Sequence, residues 1–236
     1  MPLAWKAWAF FKRDLITDIS YKLSFAFQIV DILVGMAVNG YMTTSLTCFA
    51  QAIRGNQPLG TLKTVLATPT SPIAFVLFSS LYPILRAAFD AGLYVLGGVM
   101  LGLSLARVDF LAVTLLFFLS VLAFNSVGIL SATFTLVFKR GDPLLWLFAG
   151  LSWLLGGVFY PVEVLPRFLR NAAQWLPITH ALAGMRAALL RGAPARELLP
   201  QIGALAVFGL VGLPVSVLAF HFGVRWAKVT GTLSHF

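Results

Sequence analysis

From Phe110 to Phe138 the sequence carries no charged residue, and the run stops abruptly at Lys139-Arg-Gly-Asp-Pro143. A helix of roughly 20 apolar residues spans the hydrocarbon core of a bilayer while pairing every backbone group internally. Comparable runs lie at residues 73–105, broken only by Arg86 and Asp90, at 144–160 and at 201–222. Charged residues make up only 11% of the chain, against the roughly 25% usual in soluble domains. The short alternating segments of a β-barrel are absent, since the apolar runs are continuous. An all-α polytopic membrane protein is the fold class these features predict, with residues 1–236 forming one transmembrane domain.

Charge and composition exclude several functions. The 17 basic residues outnumber the 8 acidic ones, giving a formal net charge of +9. They are scattered between apolar runs, which suits anionic lipid and cytoplasmic span ends rather than nucleic acid. Cys48 is the one cysteine, so an internal disulfide and a cysteine-based metal site are both excluded. His180 has no Cys, Asp or Glu at ligand spacing, and no metal site is expected. The charged, amphipathic N-terminus is not expected to be a cleavable signal peptide.

Residues 3–19 read as an amphipathic helix on the membrane surface, with Trp5, Trp8, Phe11, Leu15 and Ile19 on one side. Residues 23–53 are hydrophobic but interrupted by Asp31. That stretch is long for one span and short for two of about 20 residues each. Residues 161–200, with several Arg and Pro, are too polar to cross and suggest short external or re-entrant helices. Residues 223–236 form the tail.

Two segments carry a resemblance. The first is GTLKTVLATP at residues 60–69; the second is GVFYPVEVLP at 157–166, continued by Trp175-Leu-Pro-Ile-Thr-His180 and Gly184-Met-Arg186. In their order, separation and flanking spans they resemble the permease subunits of type-2 ABC exporters, a group that includes drug, polysaccharide and ion exporters. The first segment looks like the family's cytoplasmic coupling helix, here over residues 56–70. The second resembles its signature before the last span, and the first motif leans toward the drug-exporter branch.

The resemblance implies about six spans, of roughly 20 residues each, with both termini cytoplasmic. The expected setting is a prokaryotic inner membrane. It also implies a second copy of the chain, or a homologous permease, and separate ABC ATPase subunits. No GxxxxGK[ST] phosphate loop is present, so ATP and Mg are expected on the partner ATPase and no cofactor on this chain. Coupling to the ATPase would fall to Gly60, Thr61, Leu62, Lys63, Thr68 and Pro69. Gly60 permits a tight entry, Thr61 can cap the helix and Pro69 ends it. The family usually has acidic residues where this chain has Gly55, Asn56 and Lys63. It also has two spans before the coupling helix, so residues 23–53 are expected to form either a single span, which would put the N-terminus outside, or, as preferred here, a shortened pair that turns near residues 36–40. With that parity, Lys6, Lys12, Lys22, Lys63, Lys139 and Lys228 all fall inside, while Arg107 and the Arg residues of 161–200 fall outside.

Within the spans, Arg86 and Asp90 stand one turn apart. They either line a pathway or neutralise each other against a neighbouring helix, since intramembrane charges need partners. Asp31 lacks an obvious local partner. It is a pathway residue, an interfacial carboxylate near Lys22, or a carboxylate solvated in the dimer cleft. Phe159, Tyr160 and Pro161 are either an external gate or part of the interfacial aromatic belt. The function expected is the membrane subunit of an ATP-driven exporter of amphiphilic, drug-like or lipid-linked cargo, not an enzyme. An intramembrane enzyme and an uncoupled channel or scaffold are the alternatives. No paired carboxylates or nucleophile–base pair supports the enzyme reading.

Overall fold

The computed structural model describes residues 3–56, 72–103, 108–138, 143–158, 160 and 162–229. These form seven α-helices and one 3-10 turn, with no strand among the described residues. The helices are α1 (Leu3–Asn56), α2 (Pro72–Met100), α3 (Phe110–Phe138), α4 (Pro143–Leu155), α5 (Arg167–Ala173), α6 (Pro177–Leu190) and α7 (Leu199–Val229); the 3-10 turn is Val162–Val164.

Four helices contain stretches long and apolar enough to cross a membrane: Gln28–Arg54, Ile73–Met100, Phe110–Phe138 and Leu199–Ala227. The apolar α4 is shorter, at 13 residues or about 20 Å. It stops because Gly156 and Gly157 follow, the latter at φ +77°, so the expected span at 144–160 is cut short. The run at 73–105 is trimmed similarly. Gly102 adopts φ +105°, Gly102 N–H donates to Val99 O at 3.0 Å, and Leu103 N–H donates to Gly98 O at 3.0 Å. Those two bonds are a Schellman closure, which satisfies the last helical carbonyls and turns the chain out.

The largest departure lies at the start. Residues 36–40, the expected turn of a shortened pair, sit inside an unbroken α1, which also takes in residues 3–19. The physical reason is local: residues 3–34 contain no Gly or Pro, and nothing after Ile19 stops a helix. One span therefore occupies the place where two were expected, and residues 3–27 continue the helix beyond its Gln28 end.

Contacts fix the directions. Tyr41 packs on Phe117 and Phe124, with ring centroids 5.4 and 6.4 Å apart, and Arg54 reaches Thr135 at 3.5 Å, so α1 runs parallel to α3. Ser126 Oγ lies 3.5 Å from Phe208 O, and Gly223 backs onto Thr133, so α7 runs the same way. In α2, Gly98 meets Val30 while Val76 shares a buried cluster with Cys48 and Phe49, which makes it antiparallel. The bundle thus has an Asp31 end and an Arg54 end. The first gathers the start of α3 and α7 with α5 and α6. At the second, α1 ends and α2 begins.

The central α3 buries Leu116, Phe124, Ile129 and Leu136 among α1, α6 and α7. Its Gly128 lets α1 come close, because a Cβ there would run into the Ser45 carbonyl and the Phe49 ring. Small residues at such crossings replace the hydrophobic drive that lipid does not supply.

Candidate functional site at the Asp31 end

Where α4 stops, Gly157 and Val158 have carbonyls that no helix uses. Arg186, on the buried side of α6, supplies the donors: Nη1 to Gly157 O at 2.6 Å and Nη2 to Val158 O at 3.0 Å. Its Nε stands 2.6 Å from Asp31 Oδ1 on α1, and the Arg186 side chain is 18% exposed. One planar guanidinium therefore ties together the first span, the turn after α4 and α6. A fixed fork of donors suits arginine and no other side chain. Gly35, one turn beyond Asp31, lets the turn approach, since a Cβ there would stand 2.8 Å from Val158 O.

Around this junction lies a cavity of about 440 Å³ lined by Asp31, Glu163, Arg170, His180, Arg186 and Arg191. His180 Nε2 is 2.9 Å from Gln174 O, so that nitrogen carries the proton it donates. Deeper in the bundle, an apolar pocket of about 340 Å³ is lined by Val34, Val38, Tyr41, Phe117, Phe124 and Met185. A third space, of about 460 Å³, lies between α1 and α2 and includes Tyr41, Thr44, Asp90 and Tyr94.

The structure brings only some of the expected residues together. Asp31 finds a partner in Arg186 and stands at the junction, while the Lys22 side chain lies outside the described ones. Tyr160 is described and donates its hydroxyl proton to Leu154 O, folding back onto α4. Phe159 and Pro161 lie outside the described residues, as do Gly60, Thr61, Leu62, Lys63, Thr68 and Pro69. Arg86 and Asp90 are exposed on α2 and form no ion pair, either with each other or with another described residue. Arg186 was present in the motif, but its role was not read from it. The available signal was an arginine on an otherwise apolar helix, paired in need with an unpartnered intramembrane aspartate.

No curated protein matches the chain. The family model for the ABC-2 type transporter matches residues 3–190, a stretch that contains α1 to α6 and the connection between α1 and α2. Four long apolar candidate spans among the described residues, a shorter apolar helix and a match over most of the length agree: the chain belongs to the ABC-2 type transporter family, whose members are the membrane-spanning permease subunits of ABC transporters.

Proposed function

We propose that the chain exports an amphiphilic or lipid-linked substrate, working as a dimer of two copies driven by two separate ABC ATPase chains. The observation that carries this reading is the position of the connection at residues 57–71. It leaves α1 and enters α2 at the Arg54 end, within the stretch that the family model matches. It also holds the segment read as a coupling helix, including Gly60 to Lys63. Lys63, Lys139 and Lys228 all belong to connections or termini that depart from this end, which favours it as the cytoplasmic side. The C-terminal tail is then cytoplasmic. Because α1 is one unbroken helix, residues 3–27 start from the opposite end, so Lys6, Lys12 and Lys22 do not share that side.

The mechanism follows from the rod-like α1. Its span of 27 residues is about 40 Å long, with Arg54 held to α3 at one end and Asp31 held to α6 at the other. A push on the coupling segment by a closing ATPase dimer tilts α1 and α2 together. That motion loads the Asp31–Arg186 contact, which holds the turn after α4 in place. Release of this contact opens the external side near Tyr160, and its re-formation closes it. The apolar pocket beside Tyr41, with a volume of about 340 Å³, is the size of a small-ligand site and suits the apolar part of the cargo.

Reconstituted vesicles containing the chain and its ATPase test the reading. ATP added on the ATPase side drives outward movement of a fluorescent amphiphile, and scrambling residues 60–63 abolishes it while the complex still folds. Transport that persists without ATP turns the assignment toward an uncoupled channel.

A further inference from the structure

The long spans keep charge out of their interiors, with one exception among the described residues. No charged residue occurs in α3, and α7 has none before Arg225. In α1, Asp31 is paired with Arg186. Arg86 and Asp90, by contrast, sit near the middle of the span Ile73–Met100, are exposed, and have no ion-pair partner. Beside them the exposed face of α2 is apolar, with Phe78, Tyr82, Leu85, Phe89 and Leu93, while Asp90 also borders the space between α1 and α2. Those side chains suit lipid; two unpaired charges at mid-span do not, because hydrocarbon solvates neither. They lie too far from the helix ends to reach the interface by extending along the surface.

A second copy supplies the missing charges. Arg86 and Asp90 have opposite signs and lie one helical turn apart, about 6 Å along the axis. Two copies related by a two-fold axis along the membrane normal place their α2 helices parallel. An arginine side chain then reaches one turn along the neighbouring helix. The two pairings form together, because a two-fold interface repeats each contact. We infer that the α2 face bearing Arg86 and Asp90 contacts the same face of a second copy, with Arg86 of each copy paired to Asp90 of the other. The inference rests on the homodimer part of the proposed function and adds the surface and the pair.

Two differently tagged copies of the full chain, co-expressed and purified through one tag in mild detergent, test it. Wild-type copies recover each other. With Arg86→Asp in both copies, or Asp90→Arg in both, recovery falls about ten-fold, the scale of a close charge pair at an interface. Combining Arg86→Asp in one copy with Asp90→Arg in the other restores it. Within each of these chains positions 86 and 90 now carry like charges, so rescue cannot come from a pair inside one helix. In a Cys48→Ala background, Arg86→Cys in one copy and Asp90→Cys in the other also join through a short bis-maleimide. This second readout stands if the charge variants fold poorly. Undiminished recovery of the like-charged copies, mixed copies no better than matched ones, or no cross-tag product overturns the pairing and leaves the homodimer standing. Failure of wild-type copies to recover each other overturns the homodimer itself.

Discussion

Asp31 and Arg186, on the first span and on a short helix far along the chain, meet at 2.6 Å, and the same guanidinium holds the carbonyls of Gly157 and Val158. A charge inside a membrane protein is costly unless compensated. Here one arginine serves an acid and two unused carbonyls at once, so neither the acid nor the turn after α4 is independent of α6.

Arg186→Ala removes donors from two carbonyls and the counter-ion of a carboxylate, a loss of about 1–3 kcal/mol. Asp31→Asn is milder, because the side chain is 39% exposed and the amide oxygen can still accept from the Arg186 guanidinium. Thermal melting in detergent should rank Arg186→Ala well below Asp31→Asn. The double variant should be no worse than Arg186→Ala alone, since the two sites share one interaction. Arg186→Lys should fail to restore stability, because a single ammonium cannot serve three acceptors in a fixed fork.

Gly35→Ala puts a Cβ 2.8 Å from Val158 O and forces the turn away from α1. Overpacking of this kind costs about 1–3 kcal/mol. Gly40→Ala, on the same helix with nothing within 4 Å of the added Cβ, is its control and should be neutral or slightly stabilising. Equal melting temperatures for the two variants would refute the close approach at Gly35.

The unbroken α1 makes its own prediction. Gly40→Pro keeps an open environment but removes a backbone donor and strikes the carbonyl of Met36, at a cost of about 3 kcal/mol or more inside a helix. A turn near residues 36–40 would tolerate the same change. Loss of folded protein from the membrane fraction supports one helix, and normal yield and melting support a turn.

Gly102→Ala strains a residue held at φ +105°, a conformation that glycine adopts freely and alanine does not. The destabilisation is expected at about 1 kcal/mol, roughly the penalty of left-handed backbone for an L-residue. Faster hydrogen exchange should appear at Leu101 to Leu103, whose N–H groups close the α2 terminus.

Much of the bundle was legible from the chain itself. Phe110–Phe138 was delimited by Arg107 and Asp109 before it and by Lys139 to Pro143 after it, and the helix has those bounds. The start of α6 at Pro177 follows the usual place of proline in a first helical turn. Of the two forms open to residues 23–53, the resemblance favoured the pair, while the local signals, no Gly or Pro before Gly35, argued for the continuity that α1 shows. Hydropathy likewise overran at 144–160, where Gly156 and Gly157 remain apolar in composition yet end the helix. The partner of Asp31 was hidden for a different reason. Periodicity reports which residues share a helix face, but the meeting of α1 with α6 depends on packing through Gly35 and Val158, which no local pattern encodes.

Coupling to a separate ATPase through residues 60–69 is tested most directly by recovery of the tagged chain from its native membrane in mild detergent, followed by mass spectrometry. An ABC ATPase, identified by its own phosphate loop, is expected at equal stoichiometry with this chain and is lost when residues 60–63 are scrambled in a folded variant. Recovery of the intact chain without any such ATPase, under conditions that preserve a known ABC complex, would contradict it.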